Sequence, residues 1–123
     1  MSQHAQEVVC FLTAATVRAK PKYRMEDMFF SREAGRTVAF GCYAEIRVRE
    51  IQPFAMKIVI EAPTGNQATL WEDVVHPTSN LVPFVAERLW HARLEAGNWA
   101  IHVFINDRLE FTRVIEVVRR SKA

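Results

Sequence analysis

The sequence predicts an all-β protein built as a sandwich of two sheets with about seven strands. Three observations support this prediction. Apolar and polar residues alternate over much of the chain, turn residues separate the alternating stretches, and no βαβ order is visible. Because the 123 residues are the size of one domain, we expect residues 1–123 to form a single sandwich.

Composition and charge restrict the class of protein. Half of the residues are hydrophobic and 24% are charged, which is typical of a globular chain. The formal net charge of +2 is too small to indicate nucleic-acid binding, and we expect none. The apolar run at 8–17 follows no basic region and is too short to cross a membrane. The sequence therefore predicts a cytoplasmic protein without membrane attachment, and a processed fragment of a longer chain is the alternative.

The first predicted strand covers residues 7–18. Strict alternation places Val8, Cys10, Leu12 and Ala14 on one face. Since the opposite face is also apolar, the pattern does not show which face is buried, although the β-branched residues favour a strand over a helix. The setting of Cys10, and of Cys42 further along the chain, predicts two buried reduced thiols; a disulfide between them is the alternative.

Residues 19–36 interrupt the alternation and predict a long loop. The segment begins with basic residues and continues to a cluster of large apolar side chains, Met28, Phe29 and Phe30. We expect this cluster to close one end of the core and the basic residues to be solvated. Long ordered loops are also often functional.

The clearest alternation occurs over residues 37–50. Its apolar face carries Val38, Phe40, Cys42, Ala44, Ile46 and Val48. Its other face ends in Glu45, Arg47 and Arg49, for which we expect charge pairs with a neighbouring strand. The pattern predicts a long strand with one buried and one solvated face.

Residues 54–96 predict a hairpin followed by a segment that could be strand or helix. Residues 54–61 and 67–75 form the hairpin around a turn at 62–66. Residues 86–96 are rich in helix formers and precede Gly97, which would end a helix. We favour a strand over 81–87 followed by a connection over 88–96, because a helix would interrupt an all-β order.

Residues 97–118 predict a terminal hairpin. One face of its first arm carries Trp99, Ile101, Val103 and Ile105, and the other carries Ala100, His102 and Phe104. Asn106 and Asp107 tolerate the left-handed backbone that a two-residue turn requires. Because both faces are largely apolar, we expect this hairpin in the middle of a sheet.

The order of elements in the last third resembles a corner of immunoglobulin-like sandwiches. The residues that carry this resemblance are Ala96-Gly97-Asn98-Trp99, with Ile101, Val103 and Ile105, and then Asn106-Asp107. The cysteine that follows this corner in true immunoglobulin domains is missing, and the tryptophans stand at other positions. By its order of elements, the whole chain also resembles small single-domain bacterial β-sandwich proteins of unassigned function. The resemblance implies an immunoglobulin-like fold and carries over no catalytic residue.

No catalytic or cofactor motif is present in the sequence. It contains no Gly-rich phosphate loop, no GxSxG, no HExxH and no CxxC. We therefore expect no cofactor and favour a non-enzymatic protein. The leading hypothesis is an interaction module that forms a homodimer or larger homo-oligomer, or binds another protein, because strands that are apolar on both faces need a cover.

Two alternatives stay open. The first is a small-ligand or carbohydrate site on a sheet face, built from Trp71, Trp90, Tyr43, Arg47 and Arg49, with core packing as the competing interpretation of the tryptophans. The second is an enzyme whose metal would be held by three residues, namely Asp73, His76 and either His91 or His102. We do not expect this metal site, because the residues lack the spacing of known ligand sets.

Overall fold

The computed structural model describes residues 5–18, 24–28, 31–33, 37–93 and 95–118. These residues form nine strands: β1 (Gln6–Arg18), β2 (Arg24–Met28), β3 (Ser31–Glu33), β4 (Thr37–Val48), β5 (Phe54–Glu61), β6 (Gln67–Val75), β7 (Leu81–Arg93), β8 (Gly97–Ile105) and β9 (Arg108–Val118). The strands β2 and β3 have only 5 and 3 residues.

The strands form two sheets that face each other across the core. The four-stranded sheet has the order β2-β1-β4-β7, and the five-stranded sheet has the order β3-β9-β8-β5-β6. Neighbouring strands are antiparallel, except that β3 runs parallel to β9. Without the two short strands, the fold is a sandwich of three strands on four, which confirms the predicted all-β class and its seven main strands.

The inner faces of the long strands supply the core. On β4 the buried residues are Phe40, Cys42, Ala44, Ile46 and Val48, as the alternation predicts; the side chain of Val38 lies outside the described residues. On β5 and β8 they are Phe54, Met56, Ile58, Ile60, Trp99, Ile101, Val103 and Ile105. Alternation thus identified the core residues of β4, β5 and β8.

Strand β1 departs from the predicted alternation. Its pairing with β4 shifts between Val8 and Cys10, where Val9 is an extra, exposed residue. Val8 packs against the core, and beyond the shift Phe11 and Thr13 are buried on the inner side, while Ala14 is buried on the opposite side, where it pairs with Gly41. The prediction that Val8 shares its face with Cys10 and Leu12 was therefore wrong, because one inserted residue exchanges the two faces of a strand.

The segment 19–36, predicted as a loop, contains the two short strands. β2 pairs with β1, and β3 pairs with the end of β9. Strands of this length are too short to show a clear period, and they form because long neighbours offer them open edges. The side chain of Met28 and residues 29–30 lie outside the described part of the chain. The prediction that this cluster closes one end of the core therefore concerns residues that are not described.

The ambiguous segment is strand β7, which confirms the preference for a strand. It pairs with β4 from Leu81, opposite Arg47, to Arg93, opposite Thr37. The strand therefore continues through most of the predicted connection at 88–96, because pairing with β4 outweighs the helix propensity of these residues. Pro83 lies on the outermost strand of its sheet, the position at which a sheet tolerates a proline.

The terminal hairpin has the predicted turn. Asn106 and Asp107 have φ angles of 50° and 65°, which is the left-handed backbone of a two-residue turn. The turn is also tied to β5, because the Asn106 N–H donates to the Ala55 carbonyl (2.8 Å) and the Ala55 N–H donates to Asn106 Oδ1 (3.0 Å). Strand β8 lies between β9 and β5, inside the sheet as expected.

Candidate functional site

The five-stranded sheet has an outward-facing side. We call the part of this side formed by the four antiparallel strands β9, β8, β5 and β6 the outer face. Residues opposite each other on antiparallel strands point to the same side, so the register defines three rows across β9, β8, β5 and β6. The Phe104 row contains Leu109, Phe104, Lys57 and Glu72; the His102 row contains Thr112, His102, Val59 and Thr69; the Ala100 row contains Val114, Ala100, Glu61 and Gln67.

The outer face carries much of the exposed apolar surface. Among described residues, the exposed large hydrophobic side chains are Val9, Ile51, Val74, Leu81, Leu109, Val114 and Val118. Four of these seven, Val74, Leu109, Val114 and Val118, point to the outer face. Leu109 and Val114 belong to the rows defined above and are 51% and 53% exposed. Monomeric proteins expose single apolar residues routinely, whereas a group on one sheet face is typical of an interface.

A hydrogen-bonded polar group occupies the middle of this face. His102 Nε2 lies 2.9 Å from Glu61 Oε1, and His102 Nδ1 lies 2.8 Å from Thr112 Oγ1. Gln67 Nε2 donates to the same Glu61 oxygen at 3.1 Å. Because a carboxylate only accepts, Nε2 donates to Glu61, and in the neutral ring Nδ1 accepts from the Thr112 hydroxyl. The hydrogen bonds from His102 and Gln67 lower the pKa of Glu61.

The same order of groups, a carboxylate, an imidazole and a hydroxyl, occurs in enzymes in which a histidine base activates a hydroxyl nucleophile. Acyl transfer further needs N–H donors that stabilise the oxyanion. Here the three residues lie within the paired β5, β8 and β9 ladders, whose backbone amides are engaged with the neighbouring strands. The hydrogen bonds of the group thus satisfy both ring nitrogens of His102 within this face.

A surface depression lies at one end of the outer face. It has a volume of about 420 Å³ and is lined in part by Lys57, Phe104 and three acidic residues, Glu72, Asp73 and Asp107. Lys57 Nζ lies 5.2 Å from the centroid of the Phe104 ring, a distance at which the cation and the ring attract. The lysine therefore holds its charge beside the aromatic ring of the same row.

The structure places the predicted ligand residues on different surfaces. Tyr43 and Arg47 point outward from the four-stranded sheet, and Arg49 is exposed beyond the end of β4. Trp71 lies on the inner side of β6, where its ring meets that of Phe84 edge-on at 4.8 Å. The Trp90 side chain lies outside the described residues. Trp71 and Tyr43 thus share no sheet face.

One of the expected charge pairs is present. Arg47 and Glu7 lie directly opposite each other on β4 and β1, with Nη1 and Oε2 3.5 Å apart. Both side chains are exposed, so this pair contributes little to stability.

The candidate metal ligands are likewise separated or already engaged. His102 binds Glu61 and Thr112, and Asp73 Oδ1 accepts the backbone N–H of Val74 at 2.7 Å. His76 is exposed after the end of β6, and the His91 side chain lies outside the described residues. Across the described ranges, no three His, Cys, Asp or Glu residues are grouped so that they could hold a metal ion.

The two cysteines are free thiols on opposite sides of their sheet. Cys42 lies in the core, where burial raises its pKa to about 12. Cys10 lies opposite Glu45, on the outward side, and is only half buried. Burial and the charge of Glu45 raise the pKa of the Cys10 thiol. Burial is therefore confirmed for Cys42 but not for Cys10, and the alternative of a disulfide between them was wrong.

Sequence reasoning missed the outer face as a unit. Alternation placed Ala100, His102 and Phe104 together, but Lys57, Glu61 and Thr112 come from strands whose pairing the sequence does not reveal. The available signal was the alternation of polar and apolar residues in each strand, without the register that joins them.

No helix in the described part of the chain has the length and apolar character to span a membrane.

Comparisons with known proteins identify the fold. No protein-family model matches the sequence, and no curated protein matches it. A crystal structure of an immunoglobulin-like protein from Pseudomonas aeruginosa superposes with a TM-score of 0.54 at 14% identity, over 96% of this chain and all of the other. A Bacillus anthracis protein described as a putative lipoprotein matches at a TM-score of 0.38 and 12% identity, over 72% of this chain and 68% of the other. The first likeness confirms that the chain has the immunoglobulin-like sandwich fold known from a bacterial protein.

Proposed function

We propose that the protein is a non-enzymatic interaction module that self-associates through the outer face of its five-stranded sheet. The observation that carries the proposal is the exposure of Leu109 and Val114, each more than half accessible on one sheet face. Covering such side chains is favourable by about 25 cal/mol for each Å² of apolar surface removed from water.

A second copy of the chain is a suitable cover for this face. Lys57 and Glu61 lie on the same strand and carry opposite charges, so two outer faces can meet without net repulsion between these groups. Half-buried Phe104 supplies an aromatic side chain of the kind that is enriched in interfaces. The polar atoms of His102 are already bonded to Glu61 and Thr112, which lowers the cost of covering them.

The size of the face sets the expected strength of association. The outer face is four strands wide and about eight residues long along the strands. These dimensions correspond to roughly 20 by 27 Å, or about 500 Å² in projection. Specific interfaces commonly bury about 800 Å² on each partner. We therefore expect a reversible dimer whose population depends on protein concentration.

Val114→Glu tests the proposal, because it replaces one of the two exposed apolar side chains that carry it by a charged one. We expect the wild-type mass in sedimentation velocity to rise from monomer to dimer with concentration, and the variant to stay monomeric. The matched control is Ile51→Glu, since Ile51 is 55% exposed but lies in the turn after β4, away from the outer face. A wild-type protein that is monomeric at every concentration, or a Val114→Glu variant that dimerises like the wild type, would contradict the proposal.

The ligand-binding alternative has less support, because Trp71 packs inward against Phe84 while Tyr43 lies on the other sheet. The metal-enzyme alternative has less support for the same kind of reason, since His102 is engaged by Glu61 and Thr112. The cytoplasmic location stays a prediction.

A further inference from the structure

We infer that two copies meet about a two-fold axis that lies between their outer faces and crosses the strands at the His102 row. This inference rests on the proposed self-association and specifies its geometry. The Phe104 row of one copy then lies on the Ala100 row of the other, and the reverse contact follows from the symmetry.

The geometry follows from how a two-fold axis acts on a sheet face. An axis that crosses the strands keeps each strand opposite its own copy and exchanges the rows on either side of the axis. Lys57 and Glu61 are separated by four residues on β5, with Val59 of the His102 row midway between them. The axis at this row therefore places Lys57 of each copy opposite the partner's Glu61.

The Phe104 row and the Ala100 row complement each other at three of their four strand positions under this axis. The large Phe104 of β8 meets the small Ala100, Leu109 of β9 meets Val114, and the ammonium of Lys57 meets the carboxylate of Glu61, with the rows as given by the strand register. Sheets that pack face to face bring their side chains together by this alternation of large and small residues. Two symmetric ion pairs would flank the axis.

The other simple arrangement is less favourable. An axis parallel to the strands, between β8 and β5, would place β9 on β6 and β8 on β5. Leu109 would then meet Glu72, and Ala100 would meet Glu61, so that carboxylates would be covered by apolar side chains without a cation.

His102 can lie at the axis because its polar atoms are satisfied within each copy. Both ring nitrogens of His102 have partners, and its side chain is only 15% exposed. Val59, the neighbour of His102 in this row, is buried. His102 therefore needs no hydrogen bond from the other copy.

Charge reversal tests the predicted pairing of Lys57 with Glu61. Each of the variants K57E and E61K replaces two attractive contacts by two repulsive ones, and we expect each to weaken the homodimer about tenfold in Kd. An equimolar mixture of the two variants restores opposite charges at both contacts, and so does the double variant K57E/E61K. We expect sedimentation velocity to show that the mixture and the double variant both associate more tightly than either single variant alone.

Cross-linking gives a second readout that does not disturb the bond between Glu61 and His102. In a C10S background, L109C in one copy would lie opposite V114C in the other. We expect oxidation of a mixture of L109C and V114C chains to yield mainly the mixed cross-linked dimer, and little of either homodimer. Circular dichroism checks that every variant retains the wild-type fold.

The outcomes separate the inference from the proposed function. A wild-type dimer that Val114→Glu disrupts, without recovery in the mixture of charge variants and without the mixed cross-link, would overturn the axis and leave the self-association. A wild-type protein that never dimerises would overturn both.

Discussion

Cys10 and Cys42 show how a single residue's surroundings decide its chemistry. Cys42 faces the core between the sheets, and burial raises its pKa to about 12. Cys10 lies beyond the extra residue Val9, and the exchange of faces there turns it outward, opposite Glu45. Since the thiolate is the reactive form, both thiols are less reactive than an unperturbed cysteine, and Cys42 is also inaccessible.

We expect iodoacetamide at neutral pH to alkylate Cys10 slowly in the native protein and to leave Cys42 unmodified. In urea both thiols should react at the rate of an unperturbed cysteine, because unfolding removes the burial that raises their pKa. Intact-mass spectrometry measures the number of labels over time, and C10S is the control. Labelling of native C10S at the rate seen for Cys10 would show that Cys42 is not held in the core.

At the scale of elements, Gly41 and the irregular part of β7 depend on each other. Between the pairs Cys42–Ala86 and Phe40–Trp90, strand β7 holds two more residues than β4. The bulged backbone comes so close that a Cβ atom on Gly41 would lie 2.3 Å from the carbonyl oxygen of Ala86. A side chain at this position would push the two strands apart, so glycine is required for close approach.

Gly41→Ala should therefore destabilise the protein by about 2–3 kcal/mol through overpacking against backbone. Urea unfolding followed by circular dichroism measures this loss. Gly65→Ala is the comparison, because Gly65 has a φ angle of 92° but open space around it. A left-handed non-glycine residue costs about 1–2 kcal/mol, so the second loss should be the smaller. A Gly41→Ala variant of wild-type stability would mean that β7 can shift at its bulge.

At the scale of the whole molecule, the two sheets are joined by contacts along opposite sides. On one side the rings of Phe11 and Phe111 lie 5.4 Å apart, and Arg113 Nη2 donates to the Phe11 carbonyl oxygen at 3.0 Å. On the other side Trp71 of β6 meets Phe84 of β7 at 4.8 Å. Trp71 thus connects the outermost long strands of the two sheets, which is a structural role.

We expect Trp71→Ala to lower the free energy of unfolding by about 2–3 kcal/mol, less than for a fully buried aromatic residue because Trp71 is half exposed. Leu81→Ala on the neighbouring strand is the control, since Leu81 is 46% exposed and should change stability by about 0.5 kcal/mol or less. Urea unfolding measures both variants. A Trp71→Ala variant as stable as Leu81→Ala would return Trp71 to the candidates for ligand binding.

Local patterns in the sequence were enough to locate the seven long strands, to assign the faces of β4, β5 and β8, and to predict the tight turn. These features are local: a strand shows its buried side through a period of two, and Asn106-Asp107 specifies a turn by its own backbone preferences. The all-β class, the hairpins at 54–75 and 97–118, and the strand at the start of 81–96 all follow from such patterns.

Which residues from different strands meet depends on the three-dimensional fold. One extra residue in β1 exchanged its faces, pairing with β4 extended β7 through helix-favouring residues, and open sheet edges gave β2 and β3 their places. For the same reason the predicted aromatic site was divided between the two sheets, while Lys57, Glu61, His102 and Thr112 came together on one face. Strand register depends on contacts between residues far apart in the chain, and no local pattern in the sequence encodes it.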